Sequence, residues 1–256
     1  MAKLFEMRLS ELVLVIFLIG VSTAEDRVIG GIPAVPHSVP HIAHLDGPTF
    51  FCGGSLIESE WVLSAAHCYK PAAYFSVVLG DHDLSHDDVT EQVLQPCFVI
   101  PHPRYNAVTK DNDVMLIKLS ESAVLNAYVQ TVPLPPPYVE PAVGETCSVC
   151  GWGNVQAAGN VYPSTLHCVH MPVLATSSCN DVTSYNGQVT ENMFCIGSLD
   201  GGTDACDGDS GGPATCDGTL TGVVSWGYGC AYPNFPGIYI KVSYFVDWIH
   251  AVVSTN

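Results

Sequence analysis

A serine surrounded by glycines is the part of the sequence best suited to chemistry. Residues 201–213 read GGTDACDGDSGGP, and Ser210 lies between Gly208 and the pair Gly211–Gly212. Glycine permits sharp turns and lets a substrate come close to backbone N–H groups. Because a serine hydroxyl is a weak nucleophile without a base, the segment predicts a histidine and a carboxylate elsewhere in the chain. The alternative is an ordinary Gly/Ser surface turn.

Two other segments supply these partners. His67 lies near the end of the segment WVLSAAHC at 61–68, which begins with an apolar run. Asp113 directly precedes the apolar run in DNDVMLIKL at 111–119. The histidine would take the serine proton and return it to the leaving amine, and the carboxylate would orient the imidazole. Asp111 is the only rival to Asp113 in that segment.

These segments, together with VIGG at 28–31, resemble the chymotrypsin-like serine proteases, and the trypsins most closely. The resemblance runs from Val28 to the C-terminus through several independent motifs. It implies a catalytic triad of His67, Asp113 and Ser210, which follow one another in that family's chain order. It also implies an oxyanion hole formed by the N–H groups of Gly208 and Ser210. No cofactor is expected for catalysis.

The resemblance places the primary specificity pocket around Asp204, whose carboxylate would select Arg or Lys by charge pairing. Ala205 stands where trypsins usually carry serine, so we expect Arg to be preferred over Lys. Asp207 would lie at the rim and disfavour acidic residues next to the cut. The remaining lining residues implied by the resemblance are Ser225, Trp226, Gly227 and Gly237.

The N-terminus reads as a secretory signal. Residues 1–24 contain Lys3 and Arg8, an apolar run at 12–20, and small residues before a cut after Ala24. A membrane anchor is the alternative, but the run is shorter than the roughly 20 residues that span a bilayer. We therefore predict a secreted, extracellular protein.

Residues 25–27 form a candidate activation propeptide that ends at Arg27. Cleavage there would free the Val28 amine, and the resemblance makes Asp209 its partner. A buried carboxylate needs such a partner, so the ion pair would assemble the pocket and the oxyanion loop. An ordinary charged surface segment is the alternative.

Eleven cysteines agree with an oxidising compartment, and their odd number leaves at least one without an intramolecular partner. The resemblance implies disulfides that pin the active-site loops. Cys150–Cys168 is a plausible further pair that leaves Cys97 free, although the sequence does not decide this. The four implied pairs are Cys52–Cys68, Cys147–Cys216, Cys179–Cys195 and Cys206–Cys230.

A carboxylate-rich loop falls where trypsins hold calcium, and carboxylates suit such a hard cation. The candidate ligands are Asp81, Asp83, Asp88 and Glu91. Asp81 is shorter than the family's usual glutamate, and an acidic solvated loop is the alternative.

The elements that must position these residues are short Val-, Ile- and aromatic-rich runs broken by Gly, Pro and Asn, which predict an all-β chain. The resemblance specifies two six-stranded antiparallel barrels, at 28–132 and 133–256, with the site between them. The proline-rich stretch 132–141 would cross between the barrels. Phe245, Trp248, Ile249 and Val252 recur at helical spacing and predict a C-terminal α-helix.

The negative charge of the chain limits the classes of partner that it can bind. Residues 28–256 keep five of the 8 basic residues and 21 of the 25 acidic ones, a formal charge of −16. A phosphate backbone would be repelled, so nucleic acid is not an expected partner. We expect protein or peptide substrates with Arg or Lys, protein protease inhibitors, and a monomer that binds no membrane.

The sequence thus predicts a zymogen of a trypsin-like endopeptidase with a digestive role. A regulatory protease of narrow specificity and a non-catalytic homologue that acts as a binding protein are the alternatives.

Overall fold

The computed structural model describes residues 29–48, 50–156 and 159–256. The predicted signal peptide, Arg27 and Val28 lie outside the described residues. The described chain is mainly antiparallel β-structure with two short α-helices and three 3-10 turns. The strands are β1 (Ile32–Pro33), β2 (Ile42–Gly47), β3 (Phe50–Glu58), β4 (Trp61–Ser64), β5 (Ser76–Leu79), β6 (Gln92–Leu94), β7 (Pro96–Pro101), β8 (Met115–Leu119), β9 (Thr146–Gly151), β10 (His167–Leu174), β11 (Met193–Ile196), β12 (Pro213–Cys216), β13 (Thr219–Trp226) and β14 (Gly237–Lys241), and the helices are α1 (Thr176–Cys179) and α2 (Val246–Thr255).

The first sheet has seven strands in the order β6-β5-β2-β3-β4-β8-β7. Its edge strands, β6 and β7, are consecutive in the chain and separated only by Gln95. Pro96 begins β7, and proline has no N–H to donate to a ladder, so the run breaks there. The predicted six-stranded barrel is therefore a half-barrel whose sixth strand is split in two.

The second sheet closes on itself. Strands β10-β11-β14-β13-β12-β9 form a ring of six because β9 also pairs with β10, which matches the prediction for this barrel. The N-terminal strand β1 adds to β10 through Ile32 opposite Cys168. The described chain therefore contacts the second barrel through β1 before it enters the first.

Alternating residues fill each barrel. Leu45, Leu56, Val77 and Leu116 lie in the core of the first, and Phe194 with its neighbours fills the second. The predicted C-terminal helix is α2, and it packs back on the first barrel, where the Trp248 ring lies 4.9 Å from that of His102. The all-β prediction is confirmed, and none of the described helices is both long and apolar enough to cross a membrane.

Five disulfides staple the described chain. The four pairs implied by the resemblance are present, and the fifth joins Cys150 to Cys168, which face each other across β9 and β10. Cys97 is an exposed free thiol. Two bridges lie beside the predicted site residues, because Cys68 follows His67 and Cys206 lies four residues before Ser210.

Candidate active site

His67 and Asp113 meet between the two sheets. The His67 Nδ1 atom lies 2.7 Å from Asp113 Oδ2, and the His67 backbone N–H donates to Asp113 Oδ1 at 2.8 Å. Asp113 is fully buried, whereas the His67 side chain keeps 19% of its surface exposed. An ionised carboxylate only accepts hydrogen bonds, so this contact places a proton on Nδ1 and leaves Nε2 as the basic atom.

Asp111, the rival carboxylate, faces elsewhere. It accepts hydrogen bonds from the Thr190 hydroxyl at 2.7 Å and the Asn192 amide at 3.0 Å, both on the second barrel's side. The register of the segment therefore turns Asp113, and not Asp111, toward the imidazole.

Ser210 lies next to this pair. Its carbonyl accepts the Gly53 N–H at 2.8 Å and lies 3.7 Å from the Cys68 sulfur, which adjoins His67. Among the hydrogen bonds of the described residues, none joins the Ser210 hydroxyl to His67. Such bonds are often long or poorly aligned in a protein without substrate, so this finding does not remove His67 as the candidate base.

The backbone around Ser210 presents N–H groups that have no backbone acceptor among the described residues. Gly208 has a φ of +102°, and a β-carbon there would come within 2.9 Å of the Gly153 backbone. Within the described part of the chain, the N–H groups of Gly208 and Ser210 donate to no backbone acceptor. The two N–H groups are therefore available to a developing oxyanion.

The carboxylate of Asp209 is buried on the opposite side of the turn. Its oxygens accept the Gly153 N–H at 2.8 Å and the Cys206 N–H at 2.9 Å. Burial raises its pKa to about 6, despite these hydrogen bonds. Ile29, the first described residue, lies beside this region, because its carbonyl accepts the Asp204 N–H at 3.1 Å.

A cavity of about 140 Å³ opens beside Ser210, and all six residues assigned to the primary pocket line it. Asp204 lies at its floor and is 1% exposed. A β-carbon at residue 237 would come 2.6 Å from Asp204 Oδ1, so glycine is required there. At residue 227 a β-carbon would meet nothing closer than 3.5 Å, so this glycine serves to leave space.

The floor of this cavity favours a cation. Asp204 Oδ2 accepts the Ala231 N–H at 2.9 Å, whereas Oδ1 makes no well-formed hydrogen bond with any described residue. Burial raises the pKa of this carboxyl to about 7. The Tyr239 hydroxyl is also buried, without a hydrogen-bond partner among the described residues. A buried carboxylate with an unpaired oxygen, such as that of Asp204, gains most from a positively charged partner.

Comparison with known proteins agrees with this geometry. A family model described as Trypsin matches residues 28–249. The chain is 48% identical to Trypsin I-P1 of Gallus gallus over 252 residues, which covers 96% of this chain and 99% of that protein. It is 47% identical to a trypsin of Xenopus laevis over 245 residues, covering 94% and 98% of the two chains. For a trypsin of Sus scrofa the identity is 48% over 232 residues, covering 91% and 98%.

The chain belongs to the trypsin family. It is therefore a serine endopeptidase, and peptide substrates and protease inhibitors are the partners that the family implies.

The sequence did not reveal every residue that supports the site. Ser225, expected only as a pocket residue, donates its hydroxyl to Asp113 Oδ2 at 2.6 Å. No feature of the sequence signals this contact, because it joins residues 112 positions apart.

The carboxylate loop brings together three of its four candidate ligands. Oxygens of Asp81, Asp88 and Glu91 lie within 4.8 Å of one another, and Asp81 Oδ1 is buried without a hydrogen-bond partner in the described chain. Asp83 is not in this group, since Ser85 donates to it from its N–H at 3.1 Å and its hydroxyl at 2.7 Å. Burial and the neighbouring carboxylates raise the pKa of Glu91. This donor set fits a hard cation such as calcium.

Proposed function

We propose that this trypsin-family endopeptidase cleaves peptide bonds after Arg or Lys, with Arg preferred. The buried Asp204 carboxylate at the floor of the cavity beside Ser210 carries this proposal. A long side chain with a guanidinium or ammonium group would fill the cavity and reach Oδ1. Arg can pair with both carboxylate oxygens, whereas Lys would lack the serine acceptor that Ala205 replaces.

In the proposed mechanism, His67 Nε2 takes the proton of Ser210 as its oxygen attacks the carbonyl carbon of the scissile bond. The N–H groups of Gly208 and Ser210 stabilise the oxyanion, and each such donor contributes roughly 10²–10³ in rate. Collapse expels the amine, which takes the proton from His67, and leaves an acyl group on Ser210. Water then attacks with the same base, which releases the acid and restores the serine.

Asp113 would hold His67 in the required tautomer throughout this cycle. The Ser225 hydroxyl and the His67 N–H also bond to Asp113, so three donors fix its position. Loss of such a carboxylate costs about 10⁴ in turnover in the Ser-His-Asp triad from which this template comes.

The enzyme would be secreted after removal of residues 1–24 and activated by cleavage after Arg27. The new Val28 ammonium would then pair with Asp209. This carboxylate accepts the Cys206 N–H, and Cys206 lies in one buried cluster with Ile29. We further propose calcium at Asp81, Asp88 and Glu91, a monomeric enzyme and a digestive role. The calcium ion would stabilise the loop and take no part in the reaction.

The test is to cleave the purified chain after Arg27 and compare matched peptides that differ only in Arg, Lys or Phe before the bond. We expect cleavage after Arg to exceed that after Lys, and cleavage after Phe to be negligible. Asp204→Asn should lower kcat/KM for the Arg peptide by about 10²–10³-fold, because it breaks a buried charge pair. Ser210→Ala is the control for contaminating proteases and should abolish labelling by an organophosphate. Equal cleavage after Arg and Phe would refute the assignment of the pocket.

A further inference from the structure

A second cavity adjoins the primary pocket across a shared wall. It has a volume of about 620 Å³, and Trp226 and Gly227 line both cavities. The leaving amine must lie at His67, which accepts and returns its proton. Neither His67 nor Ser210 lines the second cavity, so it suits the residues that precede the cleaved bond better than those that leave with the amine.

Among the described residues that line this second cavity, Lys110 is the only charged one. The others are small, polar or aromatic, among them Gln188 and Tyr228. The Lys110 side chain is half-buried, and it makes no ion pair within the described ranges. A cation therefore borders the substrate cleft in a protein that is otherwise strongly acidic.

The backbone holds Lys110 in place. Both Lys110 and Asn112 have left-handed φ values, +59° and +55°, which non-glycine residues rarely adopt. Between them, Asp111 bonds to Thr190 and Asn192 at 2.7 and 3.0 Å and accepts the Asn106 N–H at its carbonyl at 3.0 Å. These bonds tie the loop of the first barrel to the second barrel, so the position of Lys110 relative to Trp226 is fixed.

We propose that Lys110 makes the enzyme prefer substrates with an acidic residue within the few positions before the basic residue at the cut. This rests on the proposed function, because it needs the basic side chain in the Asp204 pocket. Asp207 is exposed and lines the primary pocket but not the second cavity, and it repels a carboxylate, so the two charges favour one arrangement. The substrate class is then a peptide whose charge changes sign along the cleft, acidic first and basic at the bond.

The test compares peptides that carry Asp or Asn at the second, third or fourth residue before a fixed Arg, using the enzyme cleaved after Arg27. At one or more positions, we expect the kcat/KM for Asp to exceed that for Asn by about two- to fivefold, the size of an exposed ion pair. The ratio should approach one in 0.5 M NaCl, because salt screens such pairs. Lys110→Met should remove the preference, Lys110→Glu should reverse it and Lys110→Arg should keep it.

Lys118→Met is the matched control, since it removes one positive charge at a residue that lines neither cavity. It should leave the Asp/Asn ratio unchanged. Equal rates at all three positions, or a preference that survives in Lys110→Met, would overturn the inference. Cleavage of the Asn peptides after Arg separates the outcomes. If they are cleaved, failure concerns Lys110 alone; if no peptide is cleaved after Arg, the proposed function itself fails.

Discussion

Two aspartates five positions apart, Asp204 and Asp209, illustrate how burial alone does not decide a residue's use. Each is 1% exposed, and burial raises the pKa of Asp204 to about 7 and that of Asp209 to about 6. Both oxygens of Asp209 are bonded to N–H groups, whereas only Oδ2 of Asp204 has such a bond of good geometry. Asp204 therefore keeps an oxygen for a ligand in the cavity.

The raised pKa of Asp204 predicts that cation binding weakens as the pH falls. The ionised carboxylate binds the cation. The affinity for the cation is therefore highest when the pH is above the pKa of about 7, and it falls as the pH drops below that value. An aryl amidine should bind about fourfold more weakly at pH 6.5 than at pH 8.5, the ratio of ionised fractions for that pKa. Calorimetry in a His67→Ala background measures this binding without the imidazole of the site.

Asp204→Asn in the same background is the control for this measurement. It should bind the amidine weakly at both pH values, since the floor of the cavity then carries no carboxylate. An affinity in the parent that does not change across this range would show that Asp204 stays ionised, and that burial is offset by its hydrogen bonds.

At the same scale, the sequence predicted residue types better than contacts. Spacing and resemblance brought out His67, Asp113 and Ser210, and the structure places these three segments together. The sequence did not predict that the Ser225 hydroxyl bonds to Asp113, because a serine in a strand has many possible partners. The position of Lys110 beside Trp226 was also not predictable, since it depends on how the two barrels dock.

Among the elements, the loop between β5 and β6 gathers the most charge. Asp88 accepts the His82 N–H at 3.2 Å and donates its own N–H to Glu91 at 2.6 Å, so the loop folds its carboxylates inward. His44 Nε2 lies 2.9 Å from Asp81 Oδ2 and leaves Oδ1 toward the cluster. Without a cation, such carboxylates repel one another.

Calcium should therefore raise the thermal stability of the enzyme. At a concentration 100 times its Kd it adds about 2.7 kcal/mol, which corresponds to a rise in Tm of several degrees for a chain of this size. Asp81→Asn should remove the rise, as measured by melting with calcium or with a chelator. Asp83→Asn changes the charge equally outside the cluster and should keep the rise. A calcium effect that is the same in both variants would contradict this ligand set.

The elements themselves were predictable where the pattern is local. The helical spacing of Phe245, Trp248 and Ile249 predicted α2 within a residue or so of its N-terminus. The split between β6 and β7 at Pro96 was not predicted, although a proline inside a strand run is a signal for a break. The pairing of β1 with the second barrel depends on contacts far apart in the chain, which local patterns do not encode.

For the whole molecule, the scarcity of basic residues has a consequence under the proposed specificity for Arg and Lys. The basic residues of 28–256 are only Lys70, Arg104, Lys110, Lys118 and Lys241. Lys118 and Lys241 lie in strands, and Lys241 is 6% exposed and pairs with Glu140 at 2.6 Å. Strand backbone is held in ladders and does not enter a cleft easily. Pro71 follows Lys70, which makes that bond a poor one for this family.

Self-digestion should therefore be slow and begin at one place, the bond between Arg104 and Tyr105. Arg104 is exposed, and two hydrogen bonds hold the bond after it, from the Asn112 amide to the Arg104 carbonyl and from the Tyr105 N–H to His102. Lys110 is half-buried, has a left-handed backbone and precedes the bonded Asp111, so it is the less accessible of the two. Incubation of the active enzyme alone, followed by mass spectrometry under denaturing conditions, should show fragments 28–104 and 105–256. These separate without reduction because none of the five disulfides crosses residue 104. Arg104→Gln should extend the time for which the uncut protein is detected, and Ser210→Ala should not be cut. Rapid cleavage at many sites would contradict this account.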